Sequence, residues 1–336
     1  MTLHSHSHLR ATRIALSGVF ATALAGIALW PTGPLHAQMG DRAVKFILPV
    51  ASASGVDTIT RAASPALTKA LGHPVIVDNQ PGAGGIVGTA AMIKSPPDGF
   101  TLSIVSNNHV IYPSVYKSVP FDPINDITPI AVIGSTPIVI VVNPTKVPAK
   151  DVKELVALLK AKPGAYNYGS SGNGTILHLA AEMFFDEAGV KATHVPYKGV
   201  GPMLTDLIGG QVEIGALSLP SVQQHLKSGA LRAIGVGTAK RLAAAPDIPT
   251  MVEQGLPNYL VEGWFAVIGP AKMSPADVKR IHDAFAAAFA TPEVKEAMAK
   301  QGNTINVSTT DYANSFFRSE LAKYAKLVKK AGIELQ

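Results

Sequence analysis

Gly169-Ser170-Ser171-Gly172-Asn173-Gly174-Thr175 stands between a short aromatic strand signal and an apolar-periodic helix that begins near Ile176. Small and polar residues at such a junction leave the first N–H groups of the helix uncovered, with the positive end of the helix dipole behind them. A turn of this kind holds anions. A second one, Pro49-Val50-Ala51-Ser52-Ala53-Ser54-Gly55-Val56-Asp57, follows an apolar strand signal at 44–48. The remaining sequence reads as two runs of alternating strand and helix, one behind each turn.

Outward from the first-quoted turn, helical spacing places Leu177, Ala180, Ala181, Phe184 and Ala188 on one face. Thr193-His194-Val195 reads as a strand, and Pro196-Tyr197-Lys198-Gly199 turns into a helix ending near Gly209-Gly210. A strand at 212–217, a helix at 221–227 and a strand at 231–236 continue the alternation. Upstream, 151–162 is a helix with Val152, Leu155, Val156 and Leu159 inward.

The other turn opens a matching run. Its helix carries Ile59, Ala63, Ala66, Leu67 and Ala70 on one face, interrupted by Pro65, where the helix either kinks or restarts with Ser64 as its cap. Asp57 and Arg61 stand four apart, the spacing of an ordinary helical ion pair. A strand at 74–78 leads to Gly82-Ala83-Gly84-Gly85, which matches neither G-x-G-x-x-G nor the P-loop and reads as a turn packed closely on a helix. After the strand at 101–105, Asn107, Asn108 and His109 occupy its carboxyl end, where open α/β sheets place ligands.

The stretch 130–142 is almost wholly apolar and long enough to bridge two sheets; 263–268 is the candidate return. The last third is helical. Ser274-Pro275-Ala276-Asp277 and Thr291-Pro292-Glu293 are helix starts, and 311–331 carries Phe317, Leu321, Tyr324 and Val328 along one stripe. The expected fold is therefore α/β and two-lobed. Each lobe has a mostly parallel sheet flanked by helices, with one turn on each wall of the cleft. The expected boundaries are 38–142 with 264–336 for lobe 1, and 143–263 for lobe 2.

Composition narrows the function classes. The chain has 336 residues, 47% hydrophobic and 15% charged, and contains no cysteine, which excludes disulfides, thiolate metal sites and cysteine nucleophiles. Arg10 and Arg13, the apolar run 14–30 and Leu35-His36-Ala37 have the form of a secretory signal over 1–37; the alternative is a short membrane anchor. Removing it leaves 27 basic and 23 acidic residues, about +4. That charge mildly favours acidic small molecules and does not argue for nucleic acid.

Catalytic signatures are absent. There is no G-x-S-x-G, and the histidines at 73, 109, 178, 194, 225 and 282 have neither H-x-x-x-H nor H-E-x-x-H spacing, so no metal or other cofactor is expected. His178, in the first turn of its helix, could donate one hydrogen bond to a ligand or merely pack.

These residues resemble a known family. The stretch 49–61, Asp78-Asn79-Gln80-Pro81-Gly82-Ala83-Gly84-Gly85, Pro97-Asp98-Gly99-Phe100 and Tyr168-Gly169-Ser170-Ser171-Gly172 carry part of the likeness. His178-Leu179, Val195-Pro196-Tyr197-Lys198-Gly199, Asp247-Ile248-Pro249-Thr250 with Glu253, and Trp264-Phe265 carry the rest. In this order they resemble the substrate-binding proteins of tripartite tricarboxylate transporters, the Bug or TctC family, over essentially all of 41–336. The resemblance implies a type II-like periplasmic binding-protein architecture, and a monomeric receptor that closes on a carboxylated metabolite and delivers it to integral membrane permease subunits. It implies ligand contacts from Ser52, Ala53, Ser54, Gly55 and Asp57 on one wall. On the other it implies Ser170, Gly172, Asn173, Gly174, Thr175 and His178, and Asn108, Tyr197 and Leu217 complete the expected site.

Two departures stand out. Relatives usually carry Gly-Gly where this chain has Ala53-Ser54, and often an aspartate where Leu217 stands. Both point to a ligand without an amino group and with a more apolar body. The rival readings are a sensory subunit presenting its ligand-bound state to a signalling kinase, and a secreted enzyme using His178 or Asp57 as acid or base.

Overall fold

The computed structural model describes residues 42–333 and Leu335. The secretory signal expected over 1–37 lies outside the described residues. In chain order the elements are β1 (Val44–Leu48), α1 (Gly55–Leu71), β2 (Val75–Asn79), α2 (Ile86–Ile93), β3 (Thr101–Ser106), α3 (Asn108–Ile111) and β4 (Ile127–Val142). Then come α4 (Val152–Ala161), β5 (Asn167–Ser170), α5 (Ile176–Ala188), β6 (Thr193–Pro196), α6 (Val200–Gly209), β7 (Ile214–Ser218), α7 (Leu219–Lys227) and β8 (Arg232–Val236). The chain ends with β9 (Glu262–Pro270), α8 (Pro275–Ala290), α9 (Pro292–Lys300), β10 (Thr304–Ile305) and α10 (Thr310–Lys330).

The strands run in the order β2-β1-β3-β9-β4-β7-β5-β6, with β8 and β10 also paired to β4. β2-β1-β3 and β6-β5-β7 are parallel blocks. The crossing strands β4 and β9 run antiparallel to their neighbours. A strand that leaves one lobe and enters the other has no βαβ crossover to force it parallel. β4 spans both blocks: residues 127–137 pair with β9, and 138–142 pair with β7 and β8. Its apolar continuity follows from burial on both faces along nearly its whole length.

Two large apolar clusters form the core, the larger extending through the crossing strands. In one, Phe46, Leu48, Ile59, Leu67 and Phe285 seal β1 beneath α1 and α8. In the other, Ile140, Tyr168, Phe184, Met203 and Leu217 close the second sheet under α5 and α6. α1 continues unbroken through Pro65; Pro65 has no N–H to give to Arg61, and the adjacent Ser64 hydroxyl donates to the Thr60 carbonyl at 2.7 Å. Asp57 and Arg61 form the expected ion pair at 2.9 Å.

α10 fastens the crossing. Trp264 Nε1 donates to Glu320 at 2.8 Å, and Asn107 accepts from the Trp264 backbone N–H at 2.9 Å. The Asn107 amide in turn donates to Tyr324 at 2.5 Å. Asn107 is buried and therefore holds the end of β3, β9 and α10 together.

Candidate functional site

Each wall of the site begins at the carboxyl end of a parallel strand. Ser54 caps α1, its hydroxyl accepting from Asp57 N–H at 3.2 Å. Thr175 caps α5, accepting from His178 N–H at 3.4 Å. A cleft of about 570 Å³ lies between these helix starts. Its floor includes Thr136, Ile138 and Phe265 from the crossing strands.

At the start of α1 and in the β5–α5 turn, five backbone N–H groups have no hydrogen-bond acceptor within the described residues. They belong to Gly55 and Val56 in the first, and to Ser171, Asn173 and Leu177 in the second. A sixth helix-start donor is already engaged: Ile176 N–H donates to Asn108 Oδ1 across the cleft at 2.8 Å, while the Asn108 amide donates to Gly84 O at 3.3 Å. The remaining lining is small or apolar, apart from scattered hydroxyls. Lys198 is its one charged residue, and no carboxylate faces it.

Of the expected site residues, Ser54, Gly55, Asn108, Gly172, Asn173, Thr175 and Tyr197 line the cleft. The others lie outside the lining. Asp57 turns inward, accepting from Ala53 N–H at 3.1 Å and from Arg61 at 2.9 Å. Ala53 takes the left-handed conformation with φ 65°, and its carbonyl accepts from Ser221 at 2.8 Å; Ser52, beside it, is exposed outside the lining. Gly174, at φ 65°, is pressed against Val115 of the opposite lobe, with whose side chain a Cβ would collide.

His178 and His194 form a stacked pair beneath the second turn, ring centroids 3.8 Å apart. His178 Nδ1 accepts from Gly174 N–H at 3.0 Å, which places the proton of its neutral ring on Nε2, toward Glu182. Ser170 Oγ lies 2.7 Å from His194 Nε2 and accepts from Gly172 N–H at 3.2 Å. Burial, with His194 adding to it, pushes the His178 pKa down to about 3; burial pushes His194 down to about 4. Both rings are therefore neutral props that shape the turn. Neither His178 nor Asp57, the residues on which an enzymatic reading depends, presents a proton-transfer group to the cleft.

Leu217 is fully buried in the core, and the residue reaching the cleft from β7 is its neighbour Ser218. Strand side chains alternate in direction, so a displacement of one residue exchanges core for cleft. Gly82, Ala83, Gly84 and Gly85 also line the cleft, a role that their sequence does not signal. Close packing, the role expected of that run, is present as well: a Cβ on Gly85 would meet Pro49 O at 2.8 Å.

Comparison with known proteins fits this geometry. The profile of the tripartite tricarboxylate transporter family receptor, TctC, matches residues 59–333. The chain belongs to this family. Among the relatives of this TctC-family chain, the protein BugT of Bordetella pertussis is 33% identical over 326 residues, covering 96% of this chain and 98% of its own. The structure of the periplasmic binding protein BugD matches with a TM-score of 0.84 at 28% identity, covering 88% of this chain and 99% of BugD. An R. palustris protein solved with adipate matches equally well, at TM-score 0.84 and 29% identity, covering 91% of this chain and 100% of its own. The two-lobed periplasmic binding fold is thus shared over about nine-tenths of this chain.

Proposed function

We propose that this TctC-family chain is a periplasmic receptor that captures a carboxylated small molecule between its lobes and delivers it to the membrane permease of a tripartite transporter. Lobe 1 comprises 38–142 and 264–336, lobe 2 comprises 143–263, and the protein acts as a monomer after release of its leader. The observation that carries this reading is the set of five uncommitted backbone N–H groups at the two helix starts, on residues that line a cleft without acidic side chains. A micromolar ligand needs about −8 kcal/mol. Hydrogen bonds to a charged group contribute roughly 1.5–3 kcal/mol each. Five donors at the upper end of that range, about 15 kcal/mol together, reach this value when association costs roughly 7 kcal/mol or less. The relative solved with adipate supports the choice of a carboxylate.

A thermal-shift screen across mono-, di- and tricarboxylic acids tests it. A ligand at about 100 times its Kd adds about 2.7 kcal/mol and raises the midpoint by several degrees. The acid should be recovered unchanged. If no carboxylic acid moves the midpoint while another class of solute does, the proposal fails.

A further inference from the structure

Ser218 stands where β7 passes into α7, only 7% exposed and within the cleft lining. Its hydroxyl lies 2.7 Å from that of Ser221, and Ser221 donates across the cleft to Ala53 O at 2.8 Å. A hydroxyl has one proton and two lone pairs. Ser221 gives its proton to the Ala53 carbonyl, so the bond between the two serines takes its proton from Ser218. The Ser218 oxygen is left as an acceptor, and no donor among the described residues reaches it. A Cβ on Gly55 would come within 3.1 Å of that oxygen, which therefore sits beside the α1 helix start, where the Gly55 and Val56 N–H groups are uncommitted. One neutral acceptor thus stands next to donors suited to a carboxylate. Neither serine lies in the stretches that carry the family resemblance.

We infer that Ser218 is a specificity residue that accepts a hydrogen bond from a neutral hydroxyl beside the ligand's carboxylate, and that Ser221 sets it in that role when the lobes close. The relay joins the two walls, so the order of its protons is fixed only while Ser221 reaches Ala53. An oxo group in place of the hydroxyl brings lone pairs against the lone pairs of Ser218, and a methylene brings nothing. Hydroxy acids are thereby favoured over the matching oxo and deoxy acids, whatever number of charges they carry. The inference rests on the carboxylate-binding function proposed above. One neutral hydrogen bond corresponds to roughly three- to tenfold in affinity.

The test is calorimetry on the full mature chain with two matched sets: butyrate with its 2-hydroxy and 2-oxo derivatives, and 3-phenylpropanoate with its 2-hydroxy and 2-oxo derivatives. In the wild type, the hydroxy acid of the better-binding set should be about threefold tighter, or more, than either of its partners. In Ser218→Ala both ratios should fall toward one. In Ser221→Ala the Ser218 proton is released from the relay and can donate to an oxo group. The hydroxy-to-oxo ratio should then fall while the hydroxy-to-deoxy ratio stays above one, a split that a merely structural role would not produce. Unchanged ratios in Ser218→Ala, or a wild type that prefers the oxo acid, overturn the inference and leave the carboxylate receptor standing. A wild type that binds none of the six acids overturns it as well, and if no carboxylic acid of any class binds, the receptor reading falls with it.

Discussion

The carboxylate of Asp57 accepts the backbone N–H of Ala53 at 3.1 Å and, through its other oxygen, pairs with Arg61 at 2.9 Å. Ala53 is held at φ 65°, a conformation that costs a residue with a Cβ roughly 1–2 kcal/mol. The carboxylate therefore acts on the ligand turn from behind, as its brace. Ala53→Gly should raise the free energy of unfolding by about 1 kcal/mol, because glycine adopts this conformation without steric cost. Asp57→Ala should lower it by about 1–3 kcal/mol, because Ala53 N–H loses its acceptor. Urea unfolding of the two variants checks both signs.

Stability should fall in acid through the buried histidines. The folded-state pKa values of His178, His109 and His194 are depressed to about 3, 4 and 4 from an ordinary 6.5, chiefly by burial. Between pH 6.5 and about 4 the unfolded chain binds protons that the folded chain refuses, so the histidine contribution is complete above pH 6.5 and declines as pH falls toward the folded values. Melting midpoints at about pH 5 should lie below those at about pH 7. The slope should flatten in His194→Gln, whose amide can still bond Ser170. An equal slope in that variant would assign the acid sensitivity elsewhere.

Asn108 joins the lobes by accepting Ile176 N–H at 2.8 Å and donating to Gly84 O at 3.3 Å. Removing this link favours the open arrangement, and a ligand that needs the closed one then binds more weakly. Asn108→Ala should weaken carboxylate binding about three- to tenfold, corresponding to the roughly 1 kcal/mol of one hydrogen bond. Calorimetry measures the loss, and small-angle scattering of the unliganded variant should show a larger radius of gyration.

Gly174 is constrained by its own backbone and by the opposite lobe. Its φ of 65° and the Val115 side chain pressed against it leave no room for a Cβ. Gly174→Ala should lower both stability and affinity. Adding Val115→Ala should recover affinity more than stability, since it relieves the contact but not the backbone strain. Melting curves and calorimetry on the single and double variants separate the two effects.

Much of the fold is legible in the sequence because local chemistry dictates it. The caps at Ser274 and Thr291, the almost wholly apolar run of β4 and the two strand-to-helix turns each show themselves within a few residues. The site is legible only in part. Ser54, Gly55, Asn173 and Thr175 reach the cleft because they belong to the turns themselves. Asp57 and His178 are expected on the ligand side, yet their polar atoms are taken up by Ala53 and Gly174, bonds that depend on how each turn closes. Ser218 and Leu217 differ by one position in a pleat whose phase is set by pairing with β4. The link from Asn108 to Ile176 joins residues 68 apart, and periodicity carries no information about such a contact.

The central claim is that the cleft accepts an acid and has no carboxylate to pair with an ammonium group, since its lining contains one lysine and no acidic residue. Burying an unpaired ammonium is costly. Calorimetry on pairs that differ only in that group, succinate with aspartate, glutarate with glutamate and adipate with 2-aminoadipate, tests it most directly. The plain diacid of the best-binding pair should be at least tenfold tighter than its amino counterpart; an amino acid that binds as tightly as its diacid, or more so, would contradict the claim.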